Sequence, residues 1–198
     1  ELNPDKIELK LDRVLRLAND LGNPHKKLKN VITVTGTNGK GGTAFYLKEI
    51  LQSHGYAVSL FQSPFLYNFL TRFLINGKPL NEEKFINFVI EVDKANNNQD
   101  ITFFEYITCI AFKVFAEAKS DFNIMETGLG GKYDSTNVDY QDLKAQVLTP
   151  ISMDHKDFLG NTLGEITHNK CGIIKDNTNV IIAKQSNGVL RFIDEELK

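Results

Sequence analysis

Apolar positions along the chain repeat with two periods, and the two alternate. Over residues 5–21, Leu11, Val14, Leu15, Ala18 and Leu21 fall at helical spacing and Gly22 supplies a stop, which predicts an amphipathic helix before a polar connector at 23–27. Val31, Ile32, Thr33, Val34 and Thr35 then form a β-branched run of the kind that fits a buried parallel strand. After a glycine-rich stretch, Ala44, Leu47, Ile50 and Leu51 return to helical spacing, and residues 56–61 read as a second strand. Residues 31–61 are therefore expected to form a strand–helix–strand unit with parallel strands and a right-handed crossover.

Residues 69–75 read as extended up to the turn signal Asn76-Gly77. Asn81, Glu82 and Glu83 open a helix to about residue 94. Residues 102–118 form a strongly apolar helix in which Phe104, Ile107, Ala111 and Phe115 share one face, widened by Tyr106, Ile110 and Val114, as in a buried crossover helix. Further strands are expected at 121–126, 146–149 and 179–183. Thr162-Leu163-Gly164-Glu165 is a capping-box pattern opening a helix between the last two, and the residues after 183 read as an exposed helix or a frayed end. This alternation predicts an α/β, doubly wound and mostly parallel sheet spanning residues 1–198 as one domain.

Composition narrows the class. Hydrophobic residues make up 41% and charged residues 24%, as in an ordinary globular domain, and a formal net charge of -2 gives no electrostatic footprint for nucleic acid or an anionic membrane. Cys109 and Cys171 both fall in helix-like stretches and suggest no disulfide framework. The chain shows neither a signal peptide nor an apolar run of spanning length, so the expectation is a cytoplasmic monomer that acts on small molecules.

The candidate chemistry collects at strand ends. The stretch Gly36-Thr37-Asn38-Gly39-Lys40-Gly41-Gly42-Thr43 follows one strand and opens one helix. Glycines let successive N–H groups converge on an anion, the helix terminus adds partial positive charge and Lys40 a full one. The strict phosphate-loop pattern is not met, because Val34 stands in place of its first glycine and Gly41 in place of its Ser/Thr; a plain glycine turn with a solvated lysine is the alternative. Ser63 follows the second strand, Glu126 ends the third and Asp154-His155 follows the fourth, so all three belong on the crevice-lining rim. An acid opposite a phosphate loop suits magnesium or a water ligand, against the alternative of a solvated strand-end acid. On their own, Ser63 is a turn serine, His155 a surface histidine and Lys170 a mid-helix lysine without a role.

Taken together, Gly36-Thr37-Asn38-Gly39-Lys40-Gly41, Ser63-Pro64-Phe65, Phe103-Phe104-Glu105, Glu126-Thr127-Gly128-Leu129-Gly130-Gly131, Asp134-Ser135-Thr136-Asn137, Asp154-His155, Phe158-Leu159-Gly160 and Lys170-Cys171-Gly172 resemble, in order, the folylpolyglutamate synthase/dihydrofolate synthase family of the Mur ligase superfamily. The resemblance implies a Mur ligase central-domain-like fold with a phosphate-loop nucleotide site. It implies ATP held by Lys40 and residues Thr37, Asn38, Gly39, Gly41, Gly42 and Thr43, and Mg2+ held by Ser63, Glu126 and His155. It further implies that Lys170 is a carbamylated lysine serving a second metal, with Lys40, His155 and Lys170 catalytic, and that Asp134 contacts the pterin. The implied reaction is ATP-dependent addition of L-glutamate to a folate or dihydropteroate carboxylate through an acyl phosphate. Family members are much longer, so the resemblance implies the ATP-binding N-terminal part of a ligase, incomplete at its C-terminus and without the glutamate-binding domain. Two local departures, Gly42 in place of a serine and Leu70-Thr71 in place of Asn-Glu, leave open a nucleotide-binding module without turnover; a different phosphate-loop enzyme is a third reading.

Overall fold

The structure, a computed structural model, describes residues 9–65 and 67–197. Its centre is β1 (Val31–Thr35), every residue of which is buried. β1 pairs in parallel with β5 (Phe122–Glu126) on one side and β6 (Leu143–Leu148) on the other. β2 (Val58–Phe61) joins the far side of β5, and β7 (Asn179–Ile182) the far side of β6, both also parallel. Two short strands, β3 (Phe73–Ile75) and β4 (Lys78–Pro79), extend the β2 edge in antiparallel pairing, giving the order β4-β3-β2-β5-β1-β6-β7. The predicted doubly wound, mostly parallel sheet is therefore present. The parallel strands all end on one rim, so the loops after residues 35, 61, 126 and 148 meet there.

The expected strand–helix–strand unit is parallel, but its strands are not neighbours: β5 is inserted between β1 and β2. The extended reading of residues 69–75 fails over its first half, where Phe69–Arg72 is a 3-10 turn. Asn68 causes this. Its side chain accepts from Leu70 N–H at 2.8 Å and its carbonyl accepts the Thr71 hydroxyl at 2.5 Å, local bonds that compete with a strand ladder. Asn76 and Gly77 make the predicted turn, with φ of 49° and 75°.

Helices cover the two faces in alternation with the strand residues. Val31, Phe61, Phe73 and Met125 pack with α1 (Asp12–Asp20), α3 (Glu82–Asn96) and α4 (Phe103–Ala118). Ile32, Val34, Val58, Leu60 and Ile124 point the other way, towards α2 (Lys40–Ser53). α2 presents Ala44, Leu47 and Leu51 to the sheet but leaves Ile50 exposed, although all four share helical spacing. α6 (Leu163–Cys171), which follows the single turn α5 (Lys156–Leu159), packs against α7 (Asn187–Glu196). The chain end is a helix rather than a frayed end up to Glu196: Ser186 caps α7, which buries Val189 and Ile193 and leaves most of its other residues exposed, as in the exposed helix expected there. Among the described residues no helix is long and apolar enough to cross a membrane, and Cys109 and Cys171 are buried and unbridged.

α1 and α4 are joined where the site will lie. Thr102 and Glu105 form a capping box at the start of α4, and Arg13 reaches the same carboxylate with bonds of 2.9 and 3.0 Å. Glu105→Ala removes the cap and a mostly buried bidentate pair together and is expected to cost about 3 kcal/mol in urea unfolding. Glu117→Ala, which removes only an exposed contact to Lys113, should cost about 0.5 kcal/mol or less. Equal costs would contradict this account.

Candidate functional site

The rim is tightest where β1 and β6 end. Gly36 has φ +141°, and a Cβ there would sit 2.0 Å from the Thr149 hydroxyl and 2.8 Å from its carbonyl oxygen, so only glycine allows the approach. The Gly36 carbonyl in turn accepts two ammonium groups, Lys40 Nζ at 3.1 Å and Lys170 Nζ at 2.9 Å. α2 begins at Lys40 behind Gly39 (φ +85°), without a side-chain cap. Its first intrahelical bond runs from Thr43 N–H to the Gly39 carbonyl, which leaves the N–H groups of Gly39, Lys40, Gly41 and Gly42 as the orphan donors of the terminus. Orphan donors beside a lysine make an anion cradle.

The cradle is narrower than the resemblance implies. Thr37 and Asn38 donate their N–H groups to the Pro150 carbonyl at 3.0 and 3.2 Å, and the Thr37 hydroxyl pairs with Ser152. The Thr43 N–H is spent inside the helix. Residues 39–42 are left to face an anion, while Thr37 and Asn38 brace the loop against the exit of β6. Gly42 has open space where a Cβ would stand, so the missing serine side chain leaves room rather than a packed substitute.

Glu126 faces this terminus. It is 2% exposed; its Oε2 accepts the Ser63 N–H at 3.1 Å, and a Cβ at Gly41 would lie 3.5 Å from its Oε1. Burial pushes the carboxyl up to about 7, opposed by the Ser63 N–H, Lys40 and Arg72, while Asp134 adds to the rise. Ser63 precedes Pro64 through a cis peptide, and its hydroxyl accepts from Arg72 Nη1 at 3.2 Å. Arg72 is a site residue that pattern reading passed over. It lies buried above the rings of Phe65 and Phe69, with Nε lacking a partner. Its signal in the sequence was its place directly after the Leu70-Thr71 departure, where the resemblance has an arginine.

Lys170, expected on α6 without local distinction, is 1% exposed. Burial and the nearby Lys40 lower its pKa to about 8, against the pull of Asp154 and Asp134. Its helix is fixed by the second glycine loop. Asn169 accepts the Gly131 N–H through its side chain and the Lys132 N–H through its carbonyl, while Asn137 Nδ2 donates to the carbonyls of Lys132 and Gly172. A Cβ at Gly131 would lie 2.6 Å from the Lys170 carbonyl, so this glycine serves close packing.

Two cavities share the rim. One, of about 480 Å³, is lined by Gly39, Lys40, Gly41, Ser63 and Glu126, with Phe45, Tyr46 and Phe65 at its margin. The other, of about 310 Å³, is lined by Ser63, Phe103, Phe104, Leu129, Tyr133, Asp134 and His155. Ser63 belongs to both. His155, with φ 42° before α5, is exposed and lies 3.5 Å from Asp154 Oδ1. Asp134 is in the wall, but its carboxylate is full: Gly128 and Leu129 N–H donate to Oδ2 at 2.8 Å, and the Thr136 N–H and hydroxyl donate to Oδ1 at 2.9 and 2.6 Å. Its place is that of a loop organiser.

Among the described residues no three His, Cys, Asp or Glu side chains gather as a metal site. The Glu126 carboxylate and the adjacent Ser63 hydroxyl nevertheless offer two oxygens on one cavity. That donor set suits a hard cation that keeps several waters, as magnesium does.

A mostly parallel sheet with an uncapped helix, lysine and acid on one rim defines a phosphate-loop α/β domain. Residues 34–198 match the Mur ligase middle domain, and the chain belongs to that family. Dihydrofolate synthetase of Saccharomyces cerevisiae is 38% identical over 197 residues, covering 97% of this chain and 46% of that protein. Dihydrofolate synthase/folylpolyglutamate synthase of Bacillus subtilis is 40% identical over 194 residues, covering 94% of this chain and 44% of that protein. The solved structure of Escherichia coli FolC in complex with DHPP and ADP superposes with a TM-score of 0.90 at 34% identity, covering 98% of this chain and 47% of that one. The chain thus spans about half the length of the relatives it matches.

The buried acid has a measurable signature. The native Glu126 carboxyl titrates at about 7, above its ordinary value of 4.5, so the native state holds an extra proton between these limits. The associated stability is complete below about pH 4.5 and is lost as pH rises through about 7. Glu126→Gln is expected to flatten this part of the profile and, without metal or nucleotide, to exceed the parent at pH 8 by roughly 2 kcal/mol in urea unfolding. A variant that is less stable at pH 8, with the parent's slope retained, would contradict the assignment.

Proposed function

We propose that this chain is the nucleotide-binding part of an ATP-dependent ligase that joins L-glutamate to the carboxylate of a dihydropteroate or folate through an acyl phosphate. The observation that carries the reading is the pairing of Lys40 and Lys170 on the Gly36 carbonyl, at the mouth of an uncapped helix that faces Glu126. The relatives bear the names of such ligases, and the FolC structure holds ADP and DHPP.

In this reading Lys40 and the N–H groups of Gly39, Lys40, Gly41 and Gly42 hold the β- and γ-phosphates of ATP, with Thr37, Asn38 and Thr43 keeping the loop and first helical turn in shape. Ser63 and Glu126 would hold Mg2+ beside the phosphates, with His155 on the neighbouring cavity; the ion would supply neutralisation of phosphate charge. The lowered pKa of Lys170 favours the neutral amine that carbamylation needs, and the carbamate would present oxygens to a second cation. The flat apolar walls of Phe103, Phe104 and Tyr133 suit a pterin ring, with Asp134 shaping the wall.

The reaction needs the γ-phosphoryl group because a carboxylate is a poor electrophile. Its oxygen takes the phosphoryl group, ADP departs, the glutamate amine attacks the carbonyl and phosphate leaves as the amide forms. The cationic groups at the cradle offset charge on the transferring phosphoryl group, which is where most of the catalysis should come from. Binding of glutamate and closure over the nucleotide are assigned to the additional length that the relatives carry. The open space at Gly42 favours a second reading, a nucleotide-binding module without turnover.

Calorimetric titration with magnesium-ATP tests the shared step. Lys40→Ala should weaken binding at least about tenfold, the loss of one charge-assisted contact; unchanged affinity would overturn the reading. With the additional length that the relatives carry restored, ADP release that requires both a pteroate or folate and L-glutamate marks the ligase. Binding without release marks the module.

A further inference from the structure

Arg72 stands behind Ser63, the residue that both cavities share. The Arg72 carbonyl accepts the Gln62 N–H at 3.1 Å and the Thr71 carbonyl accepts Gln62 Nε2 at 2.8 Å, which ties the backbone at 71–72 to the exit of β2. The Arg72 side chain turns to the next residue along that exit, and its Nη1 donates to the Ser63 hydroxyl oxygen at 3.2 Å. A guanidinium can only donate, so one lone pair of Ser63 Oγ is spent on it. The rings of Phe65 and Phe69, with centroids 5.4 and 5.7 Å from Cζ, hold the group in place.

This charge is fixed and poorly answered. Arg72 is 9% exposed and its buried Nε has no partner. Burial lowers its pKa, but a guanidinium stays protonated in a protein. Glu126 acts on it as a charge through space rather than as a hydrogen-bond acceptor. Thr71 stands where the resemblance has a glutamate, so the neighbouring position brings no second carboxylate. Buried, the charge is little screened by solvent or salt.

Ser63 Oγ and the Glu126 carboxylate are the oxygens that suit a hard cation. A bare divalent ion there meets Arg72 twice, as a like charge and as a competitor for Ser63 Oγ. An ion carried on a triphosphate belongs to a complex of net negative charge, which the same guanidinium attracts. We infer that Arg72 is a specificity-determining residue that makes the Ser63–Glu126 pair reject a bare divalent cation and take the ion only together with phosphate. This rests on the reading of that pair as the magnesium ligands. Arg72 neither ligates the ion nor touches the substrate; it supplies the repulsive element that separates the two forms of the ion.

Binding of Mn2+ to the full chain without nucleotide, followed by loss of the free-ion electron paramagnetic resonance signal, tests this. Mn2+ favours the same oxygen ligands as magnesium. Arg72→Met should bind Mn2+ at least about tenfold more tightly than the parent, because the repulsion and the competing N–H are removed together. Arg72→Lys keeps the charge and should stay within about threefold of the parent. Thermal midpoints report the fold, and if Arg72→Met loses its transition, Arg72→Gln carries the same expectation. Glu126→Gln added to the neutral variant should abolish the gain. Mn2+ affinity unchanged or weakened in the neutral variant overturns the inference, as does an equal gain in Arg72→Lys. A gain that survives Glu126→Gln overturns instead the reading of Ser63 and Glu126 as the cation pair.

Discussion

Lys40 and Lys170 stand 130 residues apart in sequence yet donate to the same backbone carbonyl, that of Gly36. The rest of the site is arranged around this shared acceptor. Gly36 can present its carbonyl there because it has no Cβ to strike Thr149, and the close approach of the β1 and β6 exits therefore sets the position of both cations. Burial disfavours the Lys170 ammonium and the nearby Lys40 disfavours it further, so its pKa is lowered. A polyanion in the cradle relieves the repulsion. The arrangement is strained as a charge cluster and complementary as an anion site.

Glu126 is the counterpart across the cradle. A carboxylate held at 2% exposure without a full set of donors binds a proton more readily than it should, and a cation on the same oxygens would reverse that preference. Ser63, shared by both cavities and held through Arg72, places the phosphate end of one next to the aromatic slot of the other. Adjacency of this kind is what transfer of a phosphoryl group to a second substrate requires.

The strands and helices were legible because each carries a local burial pattern: a continuous β-branched run in β1, which is buried throughout, and an apolar face at helical spacing in α4, while the capping box at Thr162 sits where the pattern places it. Non-local pairing was not. Nothing in residues 31–61 says that β5 will enter between β1 and β2, since strand neighbours are chosen by the packing of the whole sheet. Local competition also escaped notice, as with Asn68, whose bonds curl residues 69–72. At the site, Lys40, Ser63, Glu126 and His155 do reach one rim. What residue type alone could not show is occupancy. Asp134 looks like a free acid until its four donors are traced, and Arg72 looks like a surface cation until its burial is seen.

The central claim is that the Gly36 carbonyl holds Lys40 in readiness for phosphate. A crystal structure of the chain with magnesium and a non-hydrolysable ATP analogue tests it most directly. The account predicts phosphate oxygens within hydrogen-bond distance of Lys40 Nζ and of the N–H groups of residues 39–42, with Lys40 swung off the Gly36 carbonyl towards them. Phosphates bound elsewhere, or Lys40 still on Gly36 with the cradle empty, would contradict it.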